Sequence, residues 1–167
     1  MGMYPGGNIV RVSPTLETSE YAVGDVLFDP IEIANAVPSR GGTSWLRNMY
    51  LVDKEEQSQD IEFYFFEKST SIGTVNATAN VSNDDFVAGN FIGMNMIDSD
   101  QSDSTQLDNI HINQVHNFDG TDTLFSPIML QAAGNSTSVY VTAACLGGTA
   151  TYAADSLQLV LHIEFLG

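Results

Sequence analysis

Apolar and polar residues alternate along most of this chain, and the alternation is cleanest near its C-terminal end. Leu157, Leu159, Leu161, Ile163 and Phe165 fall on one face, while Ser156, Gln158, His162 and Glu164 share the other with Val160. A period of two belongs to an extended strand, so this segment is predicted to be half-buried, with one face in a core. Residues 60–68 repeat the pattern, with Ile61, Phe63 and Phe65 on one side and Glu62, Tyr64 and Phe66 on the other. A third long run, 43–53, contains Trp45, Leu46, Met49, Tyr50, Leu51 and Val52. The polar stretch 54–59 joins these last two runs, and the pair is predicted to form an antiparallel hairpin with a long turn. Segments 8–12, 25–28, 31–37, 91–97, 110–116, 126–132 and 138–144 bring the set to about ten short strands. Turn chemistry separates them at Gly41-Gly42, Asp119-Gly120, Gly134-Asn135 and Gly147-Gly148.

One segment breaks the rhythm. Ser82 precedes Asp84 and Asp85, then Phe86, Val87 and Ala88, then Gly89. A serine cap, acids in the first turn and a closing glycine predict one or two helical turns. Such a helix is too short to form a layer. The expected architecture is therefore all-β: a jelly-roll-like antiparallel β-sandwich with one short helix. Residues 1–8 read as a flexible N-terminal arm and 9–167 as a single β-sandwich domain.

A length of 167 residues suits one domain. Charge changes the picture more: 5 Lys+Arg against 21 Asp+Glu leave −16, which argues against nucleic acid as a partner. The acids are spread along the chain, as expected for a solvated surface or for adaptation to a salty medium. No apolar run approaches the ~18 residues of a membrane span, so no membrane partner is expected. The single cysteine, Cys145, excludes an intrachain disulfide and sits in an apolar run, where a buried inert thiol is expected. Asn76, Asn80 and Asn135 begin Asn-x-Ser/Thr triplets, read as chance in a chain with no secretion signal.

Catalytic patterns are missing. The chain has no Gly-x-Ser-x-Gly elbow, phosphate loop or dinucleotide fingerprint, and no enzymatic activity, metal or cofactor is expected. His111 and His116, five apart, face opposite sides of a straight strand, whereas His162 and Glu164 share a face and read as a wet or interfacial polar pair. The acid-rich stretch 98–108 offers oxygen ligands but lacks the glycine turn and terminal glutamate of an EF-hand, so it reads as a solvated loop. Aromatic residues are more informative. A sandwich strand needs one apolar face, so Tyr64 and Phe66 opposite Phe63 and Phe65 imply a second buried surface. Trp45, Tyr50, Tyr64 and Phe66 are accordingly expected at a subunit or capsid interface, with Met3, Tyr4 and Pro5 as anchors in the arm. A carbohydrate-stacking surface with Trp45 and Tyr50 as platforms is the alternative use of these residues.

Several stretches also carry a resemblance: Gly24-Asp25-Val26-Leu27-Phe28-Asp29, Ile33-Ala34-Asn35-Ala36-Val37 and Gly41-Gly42-Thr43-Ser44. They are followed by Ser69-Thr70-Ser71-Ile72-Gly73-Thr74-Val75-Asn76, Val139-Tyr140-Val141-Thr142-Ala143-Ala144 and Gly147-Gly148-Thr149-Ala150-Thr151-Tyr152. Their order and spacing resemble the capsid decoration, or cement, proteins of tailed bacteriophages, especially phages of marine bacteria. The resemblance spans roughly residues 9 to 165 and lies in turns and strands, so it transfers no functional residue. It implies a structural virion protein made in the host cytoplasm and bound as a homotrimer to the capsid exterior, at three-fold or quasi-three-fold positions on the major capsid protein. The alternative is a β-sandwich glycan-binding module of a phage tail or host-attachment apparatus.

Overall fold

Alternating apolar residues can be buried on one face only if two sheets meet, and this is the arrangement of the computed structural model, which describes residues 6–98, 104–115 and 127–166. Its elements are β1 (Gly7–Val12), β2 (Val26–Ile33), β3 (Thr43–Asp53), β4 (Ile61–Phe66), α1 (Asn83–Ala88), β5 (Phe91–Ile97), β6 (Ser104–Leu107), β7 (Ile110–Gln114), β8 (Ile128–Gln131), β9 (Val139–Cys145) and β10 (Leu157–Phe165). One sheet runs β1-β10-β3-β7-β6, with β8 beside the first half of β3; the other runs β2-β9-β4-β5. Every strand pair is antiparallel. Late strands β9 and β10 insert between early ones in both sheets, so strands far apart in the sequence lie side by side.

The core lies between the sheets. Leu46, Met49, Leu51, Leu157, Leu159, Leu161 and Ile163 project from one, and Ile61, Phe63, Phe65, Val139, Val141 and Ala143 from the other. The alternation predicted for 157–165 holds residue by residue until Phe165, which is only half-buried.

Four expectations are corrected. β3 and β4 are not a hairpin: they belong to different sheets, and residues 54–60 carry the chain across the sandwich. The turn is held by Asp53, whose carboxylate accepts hydrogen bonds from the N–H groups of Glu55 and Gln57, both at 2.8 Å. The segments 25–28 and 31–37 merge into one strand, β2, that passes through Pro30 with shifts of register. Pro30 is tolerated because β2 is an edge strand and irregular there. The acid-rich stretch contains β6, paired with β7 across a tight turn in which Asp108 has φ 53°. Finally, strand pairing begins inside the proposed arm: Gly7 lies opposite Glu164 and Asn8 opposite Ile163.

The second apolar face of β4 also has an explanation within the chain. Residues 67–90 return over the outside of the second sheet and build a smaller core from Val26, Phe66, Ile72 and Ala144, flanked by Tyr64, Val75, Val81 and Phe86. α1 is started as predicted, with Ser82 Oγ accepting from the Asp85 N–H, and ends at Gly89. Glycine is required there by close approach, because a Cβ would stand 2.2 Å from Thr70 Oγ1. Phe86 meets Phe66 edge-on at 5.3 Å and 82°, and Phe91 meets Phe66 at 5.6 Å and 67°.

Candidate functional site: the outer face of the six-stranded sheet

β3 is not evenly spaced. Leu46 and Met49 are both fully buried although three residues apart, which a regular strand does not permit. The cause is a bulge: His162 lies opposite Asn48 and Ile163 opposite Leu46, so Arg47 is the extra residue. Trp45 and Tyr50 are five positions apart, and without the bulge they would face opposite ways. With it, both project from the outer face of the sheet, half-buried.

Around them the neighbouring strands supply polar partners. The Arg47 guanidinium sits 5.6 Å from the Trp45 ring centroid and donates to the Glu164 carboxylate. Tyr50 and the His162 ring stand 5.5 Å apart. Asn48 Nδ2 donates to the Tyr50 hydroxyl at 2.9 Å, and Gln114 Nε2 donates to Asn48 Oδ1 at 3.2 Å. A cleft of about 230 Å³ opens next to this group, lined by Gly7, Asn8, Ile9, Arg47, His162, Ile163 and Glu164. On this face the strands carry two arginines, Arg11 and Arg47, against one carboxylate, Glu164, in a chain of net charge −16. The contact-forming rings of this face have the composition of interaction hot spots.

The predicted residues fare unequally. Trp45 and Tyr50 come together on this face. Phe66 does not belong to any contact surface: it is 0% exposed under α1, so the expectation that it lies at an interface is corrected. Tyr64 points to the outer side of the second sheet, where its hydroxyl donates to Glu62. Burial first, and then this hydrogen bond, raise the Tyr64 phenol above its usual range. Met3, Tyr4 and Pro5 lie outside the described residues, as do His116 and residues 99–103 of the acid-rich stretch. His162 and Glu164 share the face, but their nearest engagements are with Tyr50 and Arg47. Among the described residues no three His, Cys, Asp or Glu side chains gather as metal ligands. Cys145 is buried, and desolvation pushes its thiol up to about 11.

Arg47, Asn48 and Gln114 were missed from sequence alone. The one available signal was the spacing of Leu46 and Met49, which a period of two cannot accommodate. Among the described residues no helix is long and apolar enough to cross a membrane. Compared with family models, curated proteins and solved structures, the chain matches none.

Proposed function

We propose that this protein is a structural virion protein that decorates and stabilises the outside of a phage capsid as a homotrimer at three-fold or quasi-three-fold positions. The observation that carries this reading is the placement of the exposed apolar residues. Val87 (72% exposed) and Phe91 (40%) stand on the outer side of the second sheet, Leu107 (56%) and Ile110 (39%) form the tip of the β6–β7 hairpin at the edge of the first, and Ile9 and Met129 stand exposed on the outer face of the first. A binding module gathers apolar surface at one site, whereas a lattice subunit touches neighbours on several sides. Each patch is small, and three copies held together convert weak contacts into firm attachment. A protein bound only to the assembled head stabilises that state by mass action. The acidic remainder would keep heads apart from one another and from DNA.

Light scattering in low and in seawater-like salt tests the assembly. A mass near three times 18.0 kDa is expected, together with co-purification of the chain with heads of the phage that encodes it. Phe91→Ser and Leu107→Ser should each lower head occupancy without unfolding the protein. A monomer in both salts that is also absent from purified heads rejects the proposal.

A further inference from the structure

The outer face of the six-stranded sheet gathers groups that the decoration role leaves unused. We propose that it is a binding site for uncharged saccharides, with Trp45 and Tyr50 as the apolar platforms and Arg47, Glu164, Asn48 and Gln114 as the polar frame. A pyranose ring presents C–H groups on its faces and, around its rim, hydroxyls that both donate and accept. A complementary surface needs aromatic area interleaved with donors and acceptors lying side by side.

This face has that alternation. Arg47, over one face of the Trp45 ring, forms a donor–acceptor pair with Glu164 and leaves the other ring face for a sugar, and the amides of Asn48 and Gln114 lie in sequence beside the Tyr50 hydroxyl.

Charge selects the ligand further. Arg47 and Glu164 neutralise each other locally, and a net charge of −16 disfavours phosphates and polyanions. The bulge at Arg47 supports the same assignment, since it interrupts regular pairing and places Trp45 and Tyr50 on one face. None of these residues belongs to the apolar patches of the decoration role, so the two proposals fail separately.

Trp45 is the only tryptophan, so its fluorescence reports this face alone. The full chain would be titrated with cello-, malto-, laminari- and chito-oligosaccharides, and with alginate oligomers as the acidic comparison. A saturable change in Trp45 emission is expected with at least one uncharged series. Arg47→Ala and Tyr50→Ala, both retaining Trp45, should weaken it roughly tenfold or more, with Tyr50→Phe intermediate. Phe91→Ser, on the far side, should leave it unchanged. Thermal melts establish that each variant is folded. Silence from every uncharged series overturns the proposal, as does binding of alginate alone or a saccharide response that survives both alanine variants. If Trp45→Ala instead lowers the native mass and no sugar responds, the face is a subunit interface.

Discussion

Replacing Phe66 with alanine separates a ring that completes the chain's own second core from one that glues subunits together. Phe66 is 0% exposed within a single chain, with Phe86 at 5.3 Å and Phe91 at 5.6 Å, both edge-on. Truncating a buried phenylalanine costs about 3–5 kcal/mol, because the lost transfer energy is joined by a cavity that α1 fills only in part. Each edge-to-face pair accounts for roughly 0.5–1.5 kcal/mol of such a loss. A loss of about 4 kcal/mol is expected, against a total of roughly 5–15 kcal/mol for a domain. With a urea dependence of ~2 kcal/mol/M, the midpoint should fall by ~2 M while the protein still folds in water. Urea unfolding followed by circular dichroism measures this, and Phe86→Ala closes a double-mutant cycle with an expected coupling of ~1 kcal/mol. The native mass should be unchanged. A loss below ~1 kcal/mol, with the assembly falling apart, would refute the intrachain role and return Phe66 to an interface.

Alkali should destabilise the fold in a defined window. Burial raises the Cys145 thiol from 9.0 to about 11 and holds Tyr21 and Tyr152 above their usual 10.0. The folded state therefore keeps protons that the unfolded state releases, so stability is intact below pH ~9 and lost as pH rises, by ~1.4 kcal/mol per pH unit for each group in its window. Urea midpoints from pH 8 to 11 check this, and Cys145→Ala should remove the earliest part of the decline. Salt should act in the opposite sense: with −16 on the chain, screening lengths falling from ~10 Å at 0.1 M to ~3 Å at 1 M should raise the Tm. The exposed Arg47–Glu164 pair, at ~0–1 kcal/mol, is too weak to reverse that trend, and a Tm that falls with NaCl would show that self-repulsion is not the governing term. Asp53→Ala should cost about 1–3 kcal/mol in the same urea assay by orphaning the N–H groups of Glu55 and Gln57.

Alternation along a strand reports which side chains are buried, and this much was legible. β10 alternates nearly throughout, β4 shows an apolar inner face, and Ser82 starts α1 at the expected position. Alternation carries no information about which strand lies alongside. Residues 54–60 span the gap between sheets as readily as they close a hairpin, so the β3–β4 connection was misassigned. Strand β6 was hidden because Ser104–Leu107 is exposed along its whole length and so has no apolar face to show. The face carrying Trp45 and Tyr50 was obscured by a different cause, one inserted residue that inverts the parity of everything after it.

The outside of β4 shows what decides such cases. Tyr64 and Phe66 required some cover, and a neighbouring subunit or a returning segment of the same chain would satisfy that requirement equally. What settles it is local. The Ser82 cap starts a helix of six residues, Gly89 lets that helix approach Thr70, and the result is Phe86 placed against Phe66 and Phe91. On α1 and β5 the most exposed apolar side chains are then Val87 and Phe91, with Met94 and Met96 half-buried opposite Tyr64 and Glu62. A contact made on this side would draw on these four residues. So few side chains make a weak contact in one copy, so under the proposed decoration role attachment through it would need several copies acting together.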